Sequence, residues 1–264
     1  MPRPVHRRDD VRPEEADHDY LPGLPQRWLL PWYDLVARVR GVHRMYRRTV
    51  EIAGVVDDAH VLDVGCGTGN LSREVLRAAP DAVVTGLDPD GDALRRAARK
   101  LRRGDSGEVT LIRGFAHRLP VPDASQDHVV SSLALHHVPL EEKQQLAAEI
   151  LRVLRRGGRV TIADFAGDHA ASHGDDGGTA DAQHGDGAHA HRTGRGHRHG
   201  RGHQGHGGAE HQPGHGPGST AYDADNADGG IEKLLTEAGL RDACAVERMP
   251  LLGDSVVFVQ AQRA

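Results

Sequence analysis

The chain has 264 residues, a formal charge of −5 with its histidines neutral, and only 3% aromatic residues. That length allows one α/β domain with a core of Val, Leu, Ile and Ala, and the acidic balance gives no case for a nucleic-acid or membrane partner. Cys66 and Cys244 make no disulfide framework, no apolar run nears the ~20 residues that span a bilayer, and no apolar stretch follows Met1-Pro2-Arg3-Pro4. Reduced thiols, no membrane span and a cytoplasmic location are therefore expected.

Residues 1–20 are charged and rich in Pro and Arg, and are expected to form a disordered tail. Residues 21–264 read as a single domain. Over 28–52, Leu29, Leu30, Tyr33, Leu35, Val36 and Val39 recur at helical spacing among arginines, which predicts one or two amphipathic helices. Strands are predicted at 61–64, 83–87, 109–112, 128–131 and 160–163. Helices are predicted between them at 70–79, 92–103 and 140–154. Such alternation implies a parallel sheet covered on both faces. From 167 to 228 the expectation is a disordered insertion. It is made of Gly, His, Asp and Ala, holds eleven of the nineteen histidines, and has almost no large apolar residue. A helix at 231–238 and strand-like runs at 243–246 and 256–259 close the domain.

The stretch Val61-Leu62-Asp63-Val64-Gly65-Cys66-Gly67-Thr68-Gly69-Asn70 carries most information. An apolar run, three glycines and then a helix make a nucleotide-binding start. Glycine permits a tight turn and lets a ligand lie on bare backbone. Asn70 reads as an N-cap, with free helix N–H groups facing the ligand. Asp63 lies inside the strand, where a carboxylate is costly to bury without a partner. Asp88 ends the next apolar run, nineteen residues after Gly69, placed to accept both ribose hydroxyls. A nicotinamide oxidoreductase shares that acid, but its fingerprint is Gly-x-Gly-x-x-Gly without an acid in the first strand. The ligand expected here is a single nucleoside carrying a small charged group.

On these residues the chain resembles a class I S-adenosylmethionine-dependent methyltransferase. Within that superfamily it is similar to the ubiquinone/menaquinone-biosynthesis (type 11) small-molecule methyltransferases. Segments 61–70, 86–94, 114–138 and 151–165 carry the likeness, with the helix near 231–240. The resemblance implies a Rossmann-like, seven-stranded, mostly parallel sheet with one antiparallel strand, S-adenosyl-L-methionine as cofactor, and a small-molecule acceptor that the sequence does not name. It implies that Asp63 engages the methionyl ammonium, unless it only partners a helix dipole. Backbone at Gly65, Cys66, Gly67 and Gly69 would line the cofactor, Asp88 would hold the ribose, Pro89 would lie beside the adenine, and Ala116 and Leu133 would complete the wall. Phe115 stands where relatives have an Asp that accepts from the adenine amino group. It would pack on the ring or simply fill the core. His136 and His137 come after the fourth strand, facing the transferred methyl, as a general base or as residues that pin the loop and shape the pocket. Arg155 and Arg156 complement a helix C-terminus.

The insertion offers close imidazole pairs at His189 and His191, His197 and His199, and His203 and His206. Neutral imidazole suits Zn, Ni, Co or Cu, although a closed structural zinc site is excluded by the irregular spacing and the lack of Cys. The alternatives are a flexible metal binder and a solvated spacer. A metal-handling or metal-sensing protein on a methyltransferase-like core is the rival reading of the whole chain.

Overall fold

The computed structural model describes residues 3–15, 41–104, 107–167 and 224–264. Apolar runs become strands β2 (His60–Val64), β3 (Val83–Asp88), β4 (Glu108–Arg113), β5 (Gln126–Ser132) and β6 (Leu154–Phe165). A hairpin of β7 (Arg241–Leu251) and β8 (Asp254–Gln262) ends the chain. Its two-residue turn, Leu252-Gly253, has positive φ at both positions (58° and 90°), which matches the twist of the paired strands. Together with β1 (Val5–Asp9) these strands make one eight-stranded sheet in the order β1-β4-β3-β2-β5-β6-β8-β7. All neighbours run parallel except where β8 lies antiparallel to β6 and β7.

Both faces are covered. Helices α1 (Val42–Ala53), α2 (Asn70–Ala78) and α3 (Gly91–Leu101) bury Met45, Val50, Leu71, Val75, Leu94 and Leu101 on one face, against Val61, Val84, Leu111 and Phe258. Helices α4 (Leu140–Val153) and α5 (Gly230–Glu237) bury Leu146, Ile150, Val153, Ile231 and Leu235 on the other, against Leu62, Val129, Val160 and Val259. Val61 and Leu62, adjacent in β2, are each 0% exposed. The continuous apolar run is the signature of a strand covered on both sides. From β2 the chain winds outward to β3 and β4, then returns to place β5 on the other side of β2. That reversal opens a crevice at the carboxyl ends of β2 and β5, where ligands bind in open α/β sheets.

Several expectations are corrected. Residues 5–9, assigned to a disordered tail, form an eighth strand that pairs with β4 from Val5↔Val109 to Asp9↔Arg113. The sheet therefore has eight strands where seven are expected. A short 3-10 turn, Pro13–Glu15, comes next. Asn70 is not the cap of α2. Gly69 holds that position at φ 77°, and the Asn70 side-chain oxygen accepts from Lys100 Nζ at 2.6 Å. The insertion expected over 167–228 lies outside the described residues except at its two ends, and its last residues enter a 3-10 segment, Ala224–Gly229. Residues 28–40 of the predicted N-terminal helices also lie outside them.

Candidate active site

At the tip of β2, Asp63 is 1% exposed. Its Oδ2 accepts from Ser72 Oγ at 2.5 Å, and the Ser72 backbone N–H also donates to it, at the start of α2. Asp63 thereby answers the helix N-terminus from inside the protein. Its Oδ1 is buried and accepts no hydrogen bond from the described residues. Burial pushes its pKa up to about 7, and the nearby Asp88 charge adds to this against the Ser72 bonds. A buried carboxylate oxygen without a donor costs free energy unless a cation or donor arrives.

The glycine turn above it has three left-handed residues with different duties. A Cβ on Gly65 (φ 71°) would collide with Cβ of Ala134 in the loop after β5. A Cβ on Gly69 (φ 77°) would stand 3.0 Å from Cβ of Ala97 on α3. A Cβ on Gly67 (φ 50°) would meet nothing within 4 Å. Only Gly67 faces open space, the close approach a ligand needs. The turn closes on itself: Gly65 and Cys66 N–H both donate to Leu87 O (2.9 and 3.0 Å), and Gly69 N–H to Cys66 O (2.8 Å). Bare backbone is presented at Gly67. Cys66 is packed beside Gly86, and burial pushes its thiol well up, so it is neutral and not a nucleophile.

Asp88 ends β3 beside this turn. Its Oδ2 accepts from Gly67 N–H at 2.7 Å and its Oδ1 from Asp90 N–H at 2.9 Å. Burial raises its pKa to about 6 despite those two bonds. Each oxygen keeps lone-pair capacity for a further donor. Next to it, Pro89 O accepts from Arg113 Nε at 3.2 Å, and Gly114 N–H donates to Asp88 O at 3.3 Å. The loop after β4 therefore lies alongside. Phe115 is buried, its ring stacked on His117 at 5.8 Å with a 13° tilt. Ala116 packs half-buried against the α4 side of the core.

The loop after β5 forms the far wall. Leu133 has φ 51° and donates its N–H to Ala163 O at 2.9 Å. Asp164, fully buried near the end of β6, organises residues 134–137 of this loop. Its Oδ2 accepts from Ala134 and Leu135 N–H at 2.9 and 2.8 Å; its Oδ1 accepts from Phe165 N–H at 2.8 Å and lies 2.7 Å from His136 Nδ1. Burial alone would raise its pKa, but His136 and the backbone donors outweigh that and hold it low. The ionised acid fixes His136 as donor at Nδ1. His137 lies against His136, ring centroids 4.1 Å apart, and its Nδ1 is buried without a hydrogen bond to the described residues. Burial first, and His136 second, depress its pKa to about 4. Asp164 is not among the residues expected from sequence. It carries the same signal that marks Asp63, an acid ending an apolar strand.

The structure thus gathers Asp63, Gly65, Cys66, Gly67, Gly69, Asp88, Pro89, Phe115, Ala116, Leu133, His136 and His137 at the carboxyl ends of the neighbouring strands β4, β3, β2 and β5. The metal candidates His189, His191, His197, His199, His203 and His206 lie outside the described residues. Among the described residues no group of three or more His, Cys, Asp or Glu could hold a metal ion. No helix among them is long and apolar enough to cross a membrane.

A glycine turn between acid-tipped strands, at the reversal point of such a sheet, resembles the cofactor end of the class I S-adenosylmethionine-dependent methyltransferases. Residues 61–158 match the family described as Methyltransferase domain. The ubiquinone/menaquinone biosynthesis C-methyltransferase of Pseudomonas paraeruginosa is 34% identical over 139 residues, 51% of this chain and 54% of that one. The chain spans about half the length of the curated relatives it matches. Across most of the chain the fold matches magnesium protoporphyrin IX methyltransferase from Synechocystis, at 17% identity and TM-score 0.54 over 85% of this chain and 80% of that one. It also matches a TehB-like methyltransferase from Corynebacterium glutamicum, at 14% identity and TM-score 0.52 over 90% and 96%. At such identities these two show the fold alone.

Proposed function

We propose that the chain binds S-adenosylmethionine at this crevice and methylates a small-molecule acceptor. The observation that carries the reading is Asp63: a buried carboxylate oxygen with no donor among the described residues, on the strand that leads into the open glycine turn. The α-ammonium of the cofactor's methionyl end is the group that fits it. Asp88 would take the ribose hydroxyls on the lone pairs left by Gly67 and Asp90, and the bare backbone of Gly67 would let the nucleoside lie close. Phe115 would meet the adenine by its apolar ring. When bound, the cofactor supplies an electrophilic methyl and its own leaving group, so the protein's task is placement and exclusion of water.

His137 is neutral at physiological pH, but at about 4 its pKa makes it a poor proton acceptor, since an efficient general base has a pKa near the working pH. We assign the His136–His137 pair to shaping the pocket, with Asp164 fixing its geometry. The acceptor is not assigned, because the matched residues are those of the cofactor half. Titration calorimetry with S-adenosylhomocysteine tests the reading, and transfer from labelled cofactor into a metabolite extract then tests turnover. Micromolar binding and a labelled product are expected. No binding by the folded chain would refute it.

A further inference from the structure

We propose that residues 3–15 are a strap that positions the adenine end of the cofactor pocket, with Glu15 acting on Phe115 through Arg118 and His117. The inference rests on the cofactor reading above.

Strand β1 has little apolar reason to be where it is. Val5 is half-buried and the next four residues are exposed. Backbone pairing with β4 holds it, and so does a set of polar contacts that converge on residues 113–120. Arg8 Nη2 donates to Pro120 O at 2.7 Å, and Asp10 N–H to Arg113 O at 2.9 Å. Arg118 donates to Asp10 through Nη1 to Oδ2 (2.5 Å) and through Nη2 to the backbone oxygen (2.7 Å). It also donates to Glu15, through Nε to Oε1 (3.3 Å) and Nη2 to Oε2 (3.0 Å). His117 Nε2 lies 3.1 Å from Glu15 Oε1, and its Nδ1 lies 3.7 Å from Glu142 Oε2.

Glu15 is 7% exposed, so this is a buried multidentate acid, unlike a surface ion pair of little worth. Burial works against its charge, yet Arg118, the Arg12 N–H and His117 together pull its pKa down to about 2. An acid held ionised there anchors two successive residues of a loop that has no strand or helix of its own. The third residue back is Phe115, stacked on His117. On the opposite side Arg113 pairs with Asp9 of the strap at 3.4 Å and with Pro89 O at 3.2 Å. The strap thus ties together both residues expected to flank the adenine. Phe115 supplies no acceptor for the adenine amino group, so affinity at that end depends on where its ring is held.

The test is calorimetry with S-adenosylhomocysteine on four full-length proteins: unaltered, Glu15→Gln, Phe115→Ala and the double variant. Thermal melts confirm folding. We expect Glu15→Gln to weaken binding about tenfold, the scale of one charge-assisted bond. The double variant should bind no more weakly than Phe115→Ala alone. In turnover, the KM for cofactor should rise with kcat unchanged. If the unaltered chain binds but Glu15→Gln binds equally well, or if the two losses simply add, the strap does not act on Phe115 and the proposal is overturned. Absence of binding by the unaltered chain overturns the cofactor reading beneath it.

Discussion

Asp63 shows how one buried atom links fold stability to ligand. Its folded-state pKa of about 7 stands above its ordinary 3.8, so the folded protein holds this proton more tightly than the unfolded chain. The resulting stabilisation is present below about pH 4 and is lost as pH rises through about 7. Asn cannot ionise. The melting temperature of ligand-free Asp63→Asn, relative to the unaltered protein, should therefore rise from about pH 5 to about pH 8. His137 titrates in both proteins and cancels from that difference, whereas Asp88, whose charge acts on Asp63, cancels only in part. A cation at Oδ1 needs the carboxylate, so S-adenosylhomocysteine affinity should grow over the same pH interval in the unaltered protein. In Asp63→Asn the pH dependence should shrink to what Asp88 contributes, and affinity near pH 8 should be at least about tenfold weaker. A pH-independent affinity in the unaltered protein would place the ammonium elsewhere. Asp88→Ala should also cost affinity at least about tenfold, the worth of a bond to a charged acceptor. It should lower the melting temperature as well, because Gly67 and Asp90 lose their acceptor. A loss of stability with affinity unchanged would give Asp88 a purely structural role.

The glycine turn separates packing from ligand approach within a single loop. Gly65→Ala drives a methyl into Ala134, so it should unfold or strongly destabilise the domain. Gly67→Ala has room and carries only the strain of φ 50°, about 1–2 kcal/mol. It should melt a few degrees lower yet lose cofactor binding, because its methyl takes the ligand's place. Equal cofactor affinity in folded Gly67→Ala, read by calorimetry, would show that no ligand lies there. Most elements around this turn are legible in the sequence because they track burial: β2, β3 and β6 are apolar runs, and α2 and α3 show helical spacing between them. Elements that escape are held by other forces. The run Val-His-Arg-Arg-Asp of β1 stabilises itself by backbone pairing and ion pairs, and a hydrophobic pattern does not register these. Helices α1, α2 and α5 begin at left-handed glycines, Gly41, Gly69 and Gly229, with no side-chain cap. A search for Ser, Thr, Asp or Asn caps therefore misplaces such starts, as at Asn70. The candidate cofactor residues are legible as a spacing, whereas two of the partners, Asp164 and Glu15, arrive from distant segments, and Ser72 comes from the adjoining helix.

At the scale of the whole molecule, the described fold closes without the histidine-rich sequence. Ala166 N–H donates to Ser255 O at 2.8 Å, so the chain is still in the sheet as it leaves β6. On its return, Asn226 is 3% exposed; its Nδ2 donates to Phe165 O at 3.2 Å and its Oδ1 accepts from Lys143 Nζ at 3.1 Å. Lys143 is 1% exposed, an ammonium buried on α4 with Asp225 also in reach at 3.4 Å. Departure and return are thus locked to the same strand end by residues outside 170–217. Replacing 170–217 with a short Gly/Ser linker should leave the melting temperature within a few degrees, since no described core residue is removed. Asn226→Ala should cost far more, roughly 1–3 kcal/mol, because the buried Lys143 ammonium loses one of its acceptors and Phe165 O loses its donor. The linker variant also tests the histidines. Ten imidazoles leave with the segment, so Zn, Ni, Co or Cu titration should show binding in the intact chain and none in the variant. Binding should weaken steeply below about pH 6, where imidazole protonates. Equal metal uptake by both proteins would remove the histidines as ligands. Uptake by the intact chain alone, with methyl-transfer rates equal with and without metal, would make the segment a metal binder uncoupled from the crevice.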